Sequence, residues 1–388
     1  YKDRLFLVVA FVLLAGLSAF RYSVGIDYNM VYSPQYEAVL ADPAGYSLAD
    51  TRLEPGFVWL EKVIATFSPN YQMLYVVTSV LMMGLFALAY WKLSPNYYVS
   101  VFIFLTLSHY YCSMNFIRQT LAGVITLFAI PFLMRKKFHL YLPIILVACL
   151  FHKSALIMIP FFFVNLIPLT NLWVLGIACV GTAFIYFNTH RIMSFVTQYW
   201  YQSYGLQSEH VLDTFAPQFT IAVAAILVLL LLFSKRLLEK DKGNYVYINY
   251  AFFSFFFTLM GTRHSILDRL GLYFFLAAPI SLALLLETLG RKEGLSILKP
   301  RDGKIQGSRK QLVAYISAGL VIAAGSLSIH QFALTKDHHG VVPYRLIFHQ
   351  TFYAEYKAWL EWEKAVEETD PFEAVSYTHP TLPTIYAV

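Results

Sequence analysis

Two stretches of this sequence set arginine beside groups that can share its chemistry. NFIRQTLAG places Arg118 and Gln119 at the head of an apolar run, with Asn115 three residues earlier. An arginine where a helix enters lipid is costly unless it snorkels to the surface or meets an anion. Both outcomes are open to Arg118, but its planar fork matches phosphate oxygens two at a time, and the flanking amides add donors. GTRHSILDR carries Arg263, His264, Asp268 and Arg269. If that stretch is helical, His264 and Asp268 fall four residues apart on one face, as do Ser265 and Arg269. A carboxylate against an imidazole fixes its tautomer and raises its basicity, which suits a general base. The same pair could also merely tie two helices together.

Three further stretches add polar groups at the edges of apolar runs. FHKSA sets His152 between two of them, either as a hydrogen-bonded structural group or as a base. EPGF holds Glu54, which could be a plain loop acid, ahead of the amphipathic VWLEKVIATF. RYSVGIDYNMVY gathers Arg21, Asp27 and Tyr28 directly after the first apolar run. Arginine and tyrosine commonly mark a membrane interface. Gly25 permits a tight turn there, and Asp27 could accept from a sugar hydroxyl or orient an arginine. The Tyr- and Gln-rich loop at 188–216 suits sugar stacking and an interfacial belt equally well.

The elements that must position these residues follow from composition. The chain has 388 residues, 58% hydrophobic and only 13% charged. A soluble surface needs roughly a quarter of residues charged, so lipid must cover much of this one. The expected class is all-α, a polytopic integral membrane protein with about eleven (ten to twelve) transmembrane helices. The three cysteines, Cys112, Cys149 and Cys179, show no paired spacing and read as buried small hydrophobes. There is no P-loop, no GxGxxG, no HExxH and no CxxC. The reading is therefore of no cofactor, no metal and no nucleic-acid partner, with the bilayer as the surrounding solvent.

Orientation follows from lysine and arginine. With the N-terminus in the cytoplasm, the inner segments hold RKK at 135–137, SKRLLEKDK at 234–242 and RKEGLSILKPRDGKIQGSRK at 291–310. The sign matches the positive-inside rule, giving N-in, C-out. The polar clusters around Asp27, Arg118, His152 and His264 then all fall on the outer side. Anchoring alone would spread them over both sides, so the asymmetry favours an outward-facing site. The expected domain is 1–333, with outer loops 21–70 and 188–216. An outer amphipathic segment follows at 334–374, then a tail at 375–388 read as non-native or disordered. Arginines beside lipid without nucleotide motifs fit a lipid-borne substrate that carries its own leaving group.

Taken in order, RYSVGIDYNMVY, EPGF, FIRQTLAG, FHKSA, RLGLYF and VPYRLIFH resemble the EpsG family of exopolysaccharide polymerases, which is O-antigen-polymerase-like (Wzy-type). The resemblance spans about residues 4–350. It implies a GT-C-like helical bundle in the bacterial cytoplasmic membrane and a metal-independent glycosyl transfer on its outer face. There a glycan on undecaprenyl pyrophosphate passes to a sugar hydroxyl of the next lipid-linked repeat unit. A chain-length regulator and a flippase are the implied protein partners. The matching arginines are Arg21, Arg118 and Arg269, and Asp27, Glu54 and His152 stand at the other motif positions. Two alternatives stay open: a glycosyltransferase using a polyprenyl-monophosphate sugar with Asp27 as acid or base, and a lipid or polysaccharide transporter.

Overall fold

The computed structural model of the chain describes residues 2–49, 51–199, 217–290, 305–337 and 339–349. Among these residues every regular element is helical, and the one pairing of extended backbone is a bridge between Arg21 and Leu346. The chain order is α1 (Lys2–Ala19), a π-turn (Tyr28–Tyr32), α2 (Ser33–Ala41), α3 (Pro55–Ala65), α4 (Gln72–Leu93), α5 (Tyr97–Thr106), α6 (His109–Asn115) and α7 (Ile117–Leu127). It continues with α8 (Ile130–Met134), α9 (Phe138–Phe151), a 3₁₀ turn (Lys153–Ile157), α10 (Met158–Val164), α11 (Leu172–Tyr199) and α12 (Pro217–Leu232). The last are α13 (Ser234–Lys240), α14 (Tyr245–Gly261), α15 (Ser265–Phe275), α16 (Ala278–Gly290) and α17 (Ile305–Lys336).

Among the described residues, three helical stretches are long and apolar enough to cross a bilayer: α4, Leu172–Val196 of α11 and Leu312–Lys336 of α17. Two bent pairs, α12–α13 at 62° and α15–α16 at 45°, raise the number to five if each pair is one span. Unbroken helices therefore do not supply the eleven spans expected. The apolar runs are present, but several are broken. The run at 97–113 breaks where Ser108 adopts a left-handed conformation, φ 64°. The run at 116–134 breaks at Phe128–Ala129, just ahead of Pro131. The run at 270–289 breaks ahead of Pro279. Proline removes an N–H donor and pushes its predecessor away from helix, so both proline sites favour a break. Expectations for 200–216, 291–304 and 350–388 lie outside the described residues.

What faces outward is itself apolar. Along α11, Leu172, Trp173, Ile177, Val180, Phe184 and Phe187 are all exposed. Water does not tolerate a stripe of that extent on a helix, whereas lipid does. The chain is a membrane protein. Inside, α1 packs on α4 and α5, α7 on α9, and α14 between α12 and α15. Antiparallel α7–α8 and α9 connect Arg118 and His152 at one end to the basic 135–137 turn at the other. Lys136, Lys235 and Lys242 line a common cleft at that basic end.

The far end of the described chain returns to its beginning. Residues 339–347 run beside 20–26, where Gly25 N–H donates to Gly340 O at 2.8 Å and Tyr22 N–H to Arg345 O at 2.9 Å. Ile347 N–H donates to Phe20 O at 2.8 Å, and the Tyr344 hydroxyl donates to Leu17 O.

Candidate active site

EPGF explains its own geometry. Glu54 is extended (φ −77°, ψ 149°) and stands at the start of α3, with Pro55 in the first turn where a missing N–H costs nothing. A side chain on Gly56 would meet Leu150 O at 2.7 Å, so only glycine lets α3 lie this close to the end of α9. That approach brings Glu54 to FHKSA, where His152 closes α9 in an extended conformation. His152 Nδ1 lies 2.9 Å from Glu54 Oε1, and the Lys153 N–H donates to the same oxygen at 3.1 Å. The other oxygen, Oε2, accepts from Arg118 Nη1 at 2.5 Å.

Arg118 sits in the first turn of α7, where the helix dipole disfavours a cation. The carboxylate opposite offsets that penalty and fixes the guanidinium. Glu54 is only 5% exposed. Burial pushes its carboxyl up, but His152, Arg118 and the Lys153 N–H together outweigh burial and bring it down to about 2. Glu54 is thus no plain loop acid. Both its oxygens meet protein groups, so it holds Arg118 and His152 in place.

Asp27 reaches the same place from the first loop. Gly25 has φ 102°, and a Cβ there would meet Met114 O at 2.8 Å, so the GID turn requires glycine. The Asp27 N–H donates to Asn115 Oδ1 at 3.0 Å, which ties the turn to the α6–α7 junction. Burial raises the Asp27 carboxyl, while Arg269 and Arg118 pull it back down, so it lies in the field of both arginines. The Arg269 guanidinium lies 5.0 Å from the Phe116 ring centre, and its carbonyl accepts from Gln119 Nε2. Phe116, Gln119, Asp268 and Arg269 line an open cleft of about 100 Å³. Ser154 and Tyr273 share a hydrogen bond of 2.8 Å, which joins FHKSA to RLGLYF.

The structure thus brings together Asp27, Glu54, Arg118, Gln119, His152, Asp268 and Arg269. It sets four other expected residues apart. Arg21 is 1% exposed, and its Nη1 donates to Ser18 O (2.5 Å), Ser18 Oγ (2.9 Å) and Ser79 Oγ (2.9 Å). Its guanidinium lies over the Tyr75 ring at 4.8 Å, so it braces α1 against α4. Tyr28 is also 1% exposed, stacked on Tyr75 at 3.9 Å and donating to Gln72 Oε1, with no ring face left for a sugar. Arg263 lies over the Tyr186 ring of α11 at 4.5 Å. His264 precedes α15 in an extended conformation (φ −156°), off the helix face expected to set it against Asp268. Tyr32, whose hydroxyl accepts the Arg118 N–H at 3.4 Å, escaped the sequence reading. Its place at the end of RYSVGIDYNMVY was the available signal.

No curated protein and no solved structure matches the chain. The model of the EpsG family matches residues 4–299, a stretch that contains every residue of the cluster and stops short of VPYRLIFH. With about three quarters of its length inside that match, the chain belongs to the EpsG family.

Proposed function

We propose that this chain polymerises undecaprenyl-pyrophosphate-linked oligosaccharide repeat units on the outer face of the bacterial cytoplasmic membrane. Membership of the EpsG family supports an exopolysaccharide-polymerase role. The observation that carries the finer reading is the hydrogen bond that ties the Asp27 turn to Asn115, three residues ahead of Arg118, with Arg118 fixed by Glu54. Two guanidiniums beside one carboxylate suit a displacement in which a diphosphate leaves and a hydroxyl attacks. The acceptor hydroxyl gives its proton to Asp27 as its oxygen bonds the anomeric carbon. The bond from that carbon to the pyrophosphate oxygen breaks, and the lipid pyrophosphate departs with the electron pair. Arg118 and Arg269 stabilise the charge that develops there, the largest single contribution in sites of this type. His152, held at Glu54, is the alternative proton acceptor. The basic 135–137 and 234–242 segments at the opposite helix ends support an outward-facing site.

Arg118→Lys and Arg269→Lys test the reading. Each keeps the charge but loses the bidentate fork, so each loses most polymerisation, and single repeat units accumulate on the lipid carrier. Arg191→Lys, exposed on α11, keeps wild-type product. Gel profiles of polymer with normal length from both Arg118→Lys and Arg269→Lys would refute pyrophosphate binding there.

A further inference from the structure

The α5–α6 break lines the deep side of the cleft that carries Gln119, Asp268 and Arg269. Two of its side chains are buried and polar, and neither has a hydrogen-bond partner among the described residues. They are Ser108, 8% exposed, through Oγ, and His109, 1% exposed, through Nε2. A buried donor or acceptor left unmatched is costly, so each such group calls for an explanation. Ser108 adds a second cost. Its φ of 64° lies in the region glycine enters without strain, yet the position carries a hydroxyl. The His109 ring is fixed edge-on against Phe275 at 4.6 Å and tilted against Phe104 at 6.2 Å, so its free nitrogen keeps one direction.

We infer that this cleft is a carbohydrate subsite, in which Ser108 and His109 hydrogen-bond the hydroxyls of the acceptor sugar. The chemistry selects the occupant. Asp268 and Arg269 both line the cleft, so its charges select no anion for the Ser108–His109 end, whereas a sugar hydroxyl both donates and accepts and can match Ser108 and His109 at once. Leu107, Phe116, Leu272 and Phe275 give the wall the apolar character that the C–H side of a sugar ring requires. Arg269 lines the same cleft, so a ring bound against Ser108 and His109 shares it with the group assigned to the pyrophosphate. The assignment of the ring to the acceptor rests on the polymerase reading above. The carbohydrate subsite itself does not.

The test uses the full chain in lipid nanodiscs, because sugar-headed detergents would compete. Saturation-transfer NMR with the methyl glycosides of glucose, galactose and N-acetylglucosamine probes the subsite, and thermal stabilisation by inorganic pyrophosphate probes the arginines. Ser108→Gly removes the hydroxyl and relaxes the backbone. His109→Phe keeps the ring packing without the nitrogens, and His109→Gln restores a polar group. At least one glycoside is expected to bind the wild type. Its dissociation constant should rise about two- to tenfold in Ser108→Gly and in His109→Phe. His109→Gln should fall between wild type and His109→Phe, and pyrophosphate stabilisation should persist in all three. If His109→Phe does not fold, Ser108→Gly alone decides. No glycoside binding to the wild type, or binding that Ser108→Gly leaves unchanged, overturns the proposal. Glycoside binding with this pattern but no pyrophosphate effect upholds the subsite and sinks the pyrophosphate reading instead.

Discussion

Replacing Glu54 by glutamine removes the charge that faces both Arg118 and His152 while keeping the volume. The wild-type carboxyl sits at about 2 against an ordinary 4.5, a difference that corresponds to about 3 kcal/mol favouring the folded carboxylate. Arg118 is 18% exposed, so solvent screens part of this and leaves about 2 kcal/mol. An amide in its place turns one of its two acceptor positions into a donor facing a donor. Glu54→Gln should therefore lower unfolding free energy by about 2 kcal/mol and slow polymerisation at least tenfold, because Arg118 loses its fixed orientation. The sign with pH is definite. A depressed carboxyl contributes fully above the unfolded value of about 4.5, and the contribution disappears as pH falls from there through about 2. The gap in denaturation midpoint between wild type and Glu54→Gln should be constant at neutral pH and close on acidification. Lipid-linked glycan profiles from cells give the rate. Equal stability with normal polymer from Glu54→Gln would refute the claim that Glu54 organises the site.

Asp27→Asn should insert and express normally but stop chain extension. Because burial raises the Asp27 carboxyl, the acid limb of the wild-type pH–rate profile should lie above the ordinary aspartate range. Gly25→Ala forces a Cβ to 2.8 Å from Met114 O at a positive φ, so it should cost about 1–3 kcal/mol of stability and most polymer. An unchanged melting curve would rule that out. Orientation is tested in a background without Cys112, Cys149 and Cys179, of which Cys179 is exposed. A cysteine at Met30, 76% exposed, should label from outside intact cells and one at Lys137 should not. Labelling of both from one side would end the outward-site reading.

The helical class was legible because apolar runs in a chain with so little charge leave no other solvent than lipid. The GID turn was legible too, since glycine ahead of the acid had a backbone reason. The hub at Glu54 was not. It joins residues 64 and 99 positions apart, and no local pattern announces such a meeting. The helical placement expected for His264 missed by one residue, because α15 starts at Ser265 and helix boundaries are the least certain part of any periodic pattern. Arg21 misled for a different reason. In sequence it resembles an interfacial anchor, but Ser18 and Ser79 provide acceptors that draw it inward. The break at Ser108 was equally hidden, because a left-handed serine has no sequence signature.

The pairing of residues 339–347 with 20–26 bears on when the protein becomes competent. The loop that carries Asp27 is made well before its partner, for Gly25 N–H donates to the carbonyl of Gly340. At about 5–20 residues per second, roughly tens of seconds of translation separate the two partners. During that interval α1 can already lie in the bilayer against α4, while the edge of the catalytic turn still lacks its hydrogen-bonding mate. A chain that stopped before residues 339–347 would leave Gly25 and Ile26 of the Asp27 loop without their backbone partners.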